Sequence, residues 1–138
     1  MSVVVLDSEA MWSLTRRPGV NPNGALAALT AARENNWDVV VPAAVLAELY
    51  RGRRQQQSVD AALSAHSDIA VATTDQRLAR FIGSLLAQAS IGSEHHVDAT
   101  VVAAALAAGG GLVVTGDFDD LQMLAAHAPG VVVEPLFV

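Results

Sequence analysis

The chain has 138 residues, no cysteine and no lysine; its eight basic residues are all arginine, against fourteen acids, for a net charge of −6. Alanine (26) and valine (19) dominate a hydrophobic content of 52%, which predicts one packed domain over residues 1–138 rather than a disordered chain. This excludes disulfide, thiolate-metal, P-loop and lysine Schiff-base chemistry, argues against non-specific DNA coating, and offers no apolar run long enough to span a membrane.

Met1 leads straight into an apolar run with no basic segment or cleavage site, so a cytoplasmic protein is expected. Residues 3–6 read as a first strand, and residues 8–17 as a helix stopped by Pro18-Gly19. A second helix is expected over 22–35 and a strand over 37–41. Pro42 suits the first turn of a helix that runs to about Arg51 and stops near Gly52. A helix over 55–65 and a short strand over 69–72 follow. Thr74 is the expected cap of a helix reaching about Gln88. After the loop 90–94 comes a helix over 97–108, ended by Gly109-Gly110-Gly111. A strand over 112–115, a helix over 119–127 and a strand over 131–133 complete the chain. Continuous apolar strands alternating with helices predict an α/β fold: a three-layer sandwich around a mainly parallel sheet of four to five strands.

The informative residues are acids where acids are costly. Asp7 directly follows the first strand, and Asp117 follows Leu112-Val113-Val114-Thr115-Gly116. Two strands therefore deliver a carboxylate to the same sheet edge, where open parallel sheets bind ligands. A helix cap or loop acid is the alternative for each. Glu48 lies in Pro-Ala-Ala-Val-Leu-Ala-Glu-Leu-Tyr, behind Ala44 and Val45, on a face that reads as apolar. Its carboxylate is expected to be paired, ligated or neutralised there, unless it reaches solvent or Arg51. Asp98 is the one acid in the first turn of an otherwise apolar helix, where the helix dipole also favours a negative charge. Clustered carboxylates persist around a proton or a hard cation, and oxygen-only ligands without cysteine suit Mg²⁺ or Mn²⁺.

The segments Val-Leu-Asp7-Ser, Pro-Ala-Ala-Val-Leu-Ala-Glu48-Leu-Tyr-Arg-Gly, Val-Asp98-Ala-Thr-Val-Val-Ala and Val-Val-Thr115-Gly-Asp117-Phe-Asp119-Asp120-Leu together resemble a PIN domain. The pattern is most similar to the VapC-type toxins of bacterial toxin–antitoxin systems, and it covers Val3 to Val133. The resemblance implies a Mg²⁺- or Mn²⁺-dependent endoribonuclease with Asp7, Glu48, Asp98 and Asp117 as its acidic quartet. Thr115 matches a supporting hydroxyl residue. Asp119 and Asp120 stand where relatives carry further acids, with a cap on the following helix as the alternative. The resemblance also implies RNA as substrate, a VapB-type antitoxin as partner and a homodimer. Glu9 departs from the pattern; it either enlarges the metal site or, as we expect, belongs to the first helical turn.

Seven arginines fall into three groups: Arg16-Arg17, Arg51/Arg53/Arg54 and Arg77/Arg80. Arg51, Arg53 and Arg54 follow the Glu48 helix and are candidates for holding RNA phosphates or an antitoxin, against a simple solvated turn. His95 and His96 precede Asp98 but are expected to be surface residues. A phosphohydrolase with an aspartate nucleophile is disfavoured, because Asp7-Ser8-Glu9 is not Asp-x-Asp and no lysine exists to hold the phosphate. The remaining alternative is a non-catalytic PIN-like module that binds RNA or protein. With about five of the fourteen acids in one cation pocket, the rest of the surface nears charge balance, so the net charge is no argument against a nuclease.

Overall fold

All four residues of the first apolar run are buried, as a strand covered on both faces requires. In the computed structural model, which describes residues 2–136, this run forms β1 (Val3–Leu6) at the centre of a five-stranded sheet. The other strands are β2 (Asp38–Pro42), β3 (Ile69–Ala72), β4 (Gly111–Thr115) and β5 (Val131–Pro135). Every pairing is parallel, in the order β3-β2-β1-β4-β5. Seven α-helices occur among the described residues: α1 (Ser8–Ser13), α2 (Asn23–Asn35), α3 (Ala43–Leu49), α4 (Arg53–Ala65), α5 (Gln76–Ala89), α6 (His96–Ala107) and α7 (Phe118–Ala125). A 3₁₀ turn over Ser93–His95 leads into α6. The predicted α/β/α sandwich is therefore the fold found.

The strand order fixes where a ligand belongs. From β1 the chain moves outward through β2 to β3, with α1 to α4 in the connections. It then returns through α5 and α6 to β4, and α7 leads on to β5 on the other side of β1. The winding thus reverses between β1 and β4, and the crevice beyond their carboxyl ends is the topological switch point. Leu6 pairs with Val114, so the next residues, Asp7 and Thr115, face each other at that edge. α6 passes behind it against β1, β2 and β4, with Ala99, Val101, Val102, Ala103 and Ala105 all buried. Its many alanines and valines let the helix lie close to the sheet.

Three helix boundaries differ from expectation. The first helix stops at Ser13 rather than Arg17. The Ser13 and Thr15 hydroxyls donate to the carbonyls of Ala10 and Trp12, competing with helix propagation, and Arg16 takes a left-handed conformation. α5 is capped by Asp75 and not Thr74: the Asp75 carboxylate accepts from the Leu78 amide at 2.8 Å. α4 starts two residues early, at Arg53, after Gly52 turns the chain.

Gly110 has φ +117°, and a Cβ there would lie 2.8 Å from the Gly130 carbonyl oxygen. Gly83, inside α5, has open space around it. Urea denaturation should show Gly110→Ala destabilised by about 1–3 kcal/mol and Gly83→Ala stabilised by about 0.5–1 kcal/mol. The opposite ranking would contradict this packing.

Candidate metal centre

Asp7 is both an N-cap and a site residue. One carboxylate oxygen accepts from the Ala10 amide at 2.8 Å, which starts α1. The other accepts from the hydroxyl of Thr115. That hydroxyl in turn accepts from the Asp117 amide at 2.8 Å. Thr115 is fully buried and Asp7 is 6% exposed. One hydroxyl therefore links the ends of β1 and β4 and sets the backbone that carries Asp117. Burial pushes the Asp7 carboxyl up, partly offset by the Thr115 and Ala10 bonds.

Three more acids arrive from two helix starts. Asp98 is in the first turn of α6; Asp117 precedes α7 and Asp120 lies in its first turn. Burial, and then the charges of Asp117 and Asp120, push Asp98 up to about 6. Asp117 is raised by loss of water and then by the adjoining Asp120 carboxyl, with a further contribution from Glu9. Asp117 makes no capping bond to α7, so the simple cap reading fails for it. Asp119 is exposed and outside this cluster.

His95 is the residue that sequence reasoning undervalued. One ligand atom each from His95, Asp98 and Asp120 lies within 4.8 Å of the others. The imidazole Nδ1 is 4.0 Å from an Asp98 oxygen. The 3₁₀ turn, together with the i, i+3 spacing from Asp98, turns His95 into the crevice; that spacing was the available signal. Glu9 belongs to the first turn of α1 as expected, yet its carboxylate also rests over Gly116, where a Cβ would overlap it. Glu9 thus borders the cluster and raises both Asp7 and Asp117.

Glu48 departs from expectation. It is exposed rather than held in an apolar environment, because α3 is only seven residues long and buries Val45 and Leu46 instead. Its carboxylate accepts from the Ser8 hydroxyl at 2.6 Å. Ser8 follows Asp7 directly, so Glu48 stands beside the cluster and not within it. Ser8, Glu9, Trp12, Glu48, Leu49 and Gln55 surround a cavity of about 280 Å³. The side-chain oxygen of Gln55 is buried there without a partner among the described residues. Arg51, Arg53 and Arg54 are exposed around the α3–α4 turn, and none pairs with the acids.

The donor set suits a hard divalent cation. Carboxylates from three separate elements converge, they push one another's pKa upward, and no arginine offsets them among the described residues. Asp7, Asp98, Asp117 and Asp120 are the residues placed to hold it, with His95 beside them and Glu48 behind Ser8.

In metal-free solution the Asp98 carboxyl, raised to about 6 from 3.8, binds a proton more tightly in the folded than in the unfolded chain. Its contribution to stability is therefore present below pH about 4 and lost as pH rises through about 6. The loss should be on the order of 1–2 kcal/mol, discounted for the exposed part of the side chain. Thermal unfolding in EDTA should show a smaller fall in Asp98→Asn than in the wild type, since Asp7 and Asp117, also raised, retain their share. Identical pH profiles would contradict it.

The chain matches the PIN domain family over residues 4–126. No curated protein sequence matches it. Several solved structures share the fold. VapBC2 from Rickettsia felis, bound to a promoter DNA fragment, has a TM-score of 0.69 at 16% identity, covering 96% of this chain and 98% of that one. A toxin–antitoxin complex from Klebsiella pneumoniae has a TM-score of 0.65 at 19% identity, covering 94% and 95%. FitAcB from Neisseria gonorrhoeae has a TM-score of 0.66 at 18% identity, covering 97% and 98%. With the family match over most of its length and the acids gathered at the switch point of its parallel sheet, the chain belongs to the PIN domain family.

Proposed function

We propose that the chain is a Mg²⁺- or Mn²⁺-dependent endoribonuclease, a VapC-type toxin working as a single domain over residues 1–138 in the cytoplasm. The observation that carries this reading is the convergence of Asp7, Asp98, Asp117 and Asp120 at the β1–β4 switch point with no arginine paired to them among the described residues. The structures of similar fold are toxin–antitoxin complexes, which supports a VapB-type antitoxin as partner; a second copy of this chain as companion rests on the resemblance to VapC-type toxins.

A bound divalent cation would supply Lewis acidity and a water acidic enough to attack a phosphodiester. The protein's own part is preorganisation. Thr115 and the Ala10 amide fix both oxygens of Asp7. The Thr115 hydroxyl also fixes the Asp117 backbone. α6 is buried on nearly all sides, so Asp98 is carried by a rigid element. Glu48, held by the Ser8 hydroxyl next to Asp7, borders the site and would supply a further carboxylate to it. Arg51, Arg53 and Arg54, exposed around the α3–α4 turn that follows Glu48, hold phosphates of the RNA strand in this reading.

Purified protein should cut single-stranded RNA with Mg²⁺ or Mn²⁺ and not in EDTA. Asp7→Asn and Asp98→Asn should each lower the rate by at least about 100-fold, in line with loss of a metal ligand or its charge. Asp7→Asn keeps an oxygen for the Ala10 amide and removes a buried charge, so its melting point in EDTA should equal or exceed the wild type. Undiminished cleavage by Asp7→Asn would overturn the site assignment. A wild type that Mn²⁺ stabilises but that leaves RNA intact would favour the non-catalytic module.

A further inference from the structure

A cavity of about 500 Å³ plays no part in the carboxylate cluster. It lies between the end of α1 and one face of α4. Arg16, Arg54 and Gln57 line it together with Leu14, Ala61 and Ala65. The α4 residues recur every three or four positions, so they share one helix face. No acid lines the cavity, and among the described residues neither arginine forms a salt bridge.

Two like charges around one cavity repel, and the local structure adds to that cost. Arg54 and Arg53 occupy the first turn of α4, at the positive end of the helix dipole, with no acid in that turn. Arg16 is held at φ +60°, a conformation that an arginine adopts less readily than glycine. An anion bound in this cavity would offset the two positive charges, and its apolar lining would accept a flat, uncharged group.

We propose that this cavity is a nucleotide subsite for the single-stranded RNA substrate. One phosphate is held by Arg16 and Arg54, and the attached base lies against Leu14, Ala61 and Ala65 with Gln57 at its polar edge. This rests on the reading of the chain as a ribonuclease and extends it to the path of the strand. Asp7 caps the start of α1 and Leu14 to Arg16 follow its end, so the length of that six-residue helix, about 9 Å by helical rise, separates Asp7 from the chain that enters the subsite. Gln55 and Arg54, adjacent in α4, wall the Glu48 cavity and this one respectively, so the two adjoin.

The test is fluorescence anisotropy of a labelled single-stranded RNA oligonucleotide with Mg²⁺, in the Asp7→Asn background where cleavage is switched off. Arg16→Ala/Arg54→Ala should weaken binding at least about fivefold and make the salt dependence shallower by roughly 0.7, the value for one phosphate contact on a single strand. Arg77→Ala/Arg80→Ala removes the same charge elsewhere and should change binding less than about twofold. Arg16→Gly should raise the melting temperature while weakening RNA binding, which a purely structural role for Arg16 would not produce. Equal losses from both arginine pairs, or no loss from Arg16→Ala/Arg54→Ala, would overturn the subsite. So would a short polyglutamate peptide binding through these arginines while RNA binding ignores them. Cleavage separates the two readings. A wild type that binds RNA through Arg16 and Arg54 but never cuts it defeats the nuclease reading and leaves the subsite. One that cuts RNA while the double variant binds normally defeats the subsite alone.

Discussion

A single buried hydroxyl joins the two central strands where the sheet reverses its winding. Thr115 donates to Asp7 and accepts from the Asp117 amide, while its carbonyl accepts from Leu136 at 2.8 Å. The β1–β4 register puts Asp7 opposite Thr115, so this contact follows from strand pairing and not from a flexible loop. α1 begins at the same Asp7, and α7 begins just past the same Asp117. Moving either strand by one residue would turn that strand's side chain to the other face of the sheet and break the contact. The position of every acid in the crevice depends on that link.

The cluster works against the stability of the metal-free protein. Burial disfavours a charged Asp7, and Asp98 is pushed up to about 6 by burial and by its acidic neighbours. Natural proteins tolerate such conflicts where function requires them. The rest of the fold absorbs the cost through a large apolar core, in which β1 and α6 are almost wholly buried. Meanwhile the arginines lie at the end of α1, around the α3–α4 turn and on α5, outside the crevice. The net charge of −6 therefore resides largely in the acidic pocket, with the rest of the surface near charge balance.

Much of this was readable from the sequence because the central strands are uninterrupted apolar runs and the acids follow them directly. The order of elements, the parallel sheet and the edge holding Asp7 and Asp117 came from that pattern alone. Periodicity failed where elements are short. In α3, seven residues give no clear stripe, and Glu48 turned out exposed and bonded to Ser8. In sequence His95 reads as a surface residue, because a 3₁₀ turn has its own spacing, and its nearness to Asp120 depends on how α6 and α7 pack. Asp119 and Asp120 are neighbours in sequence, yet only Asp120 reaches the cluster, since successive residues of a helix point about 100° apart. The early end of α1 reflects Ser13 and Thr15 hydroxyls bonding to the backbone, a competition that helical periodicity does not register.

That these side chains form one cation site is open to direct observation. Amide spectra of ¹⁵N-labelled protein, recorded as Mn²⁺ is added below one equivalent, report which residues lie near the paramagnetic ion. Signals from residues 7–10, 95–98 and 115–120 should broaden first, while those of Arg33 and Asp68, paired at the opposite end of the sheet, should persist. Broadening centred elsewhere, or spread evenly over the acidic surface, would contradict a single site built on Asp7, Asp98 and Asp117.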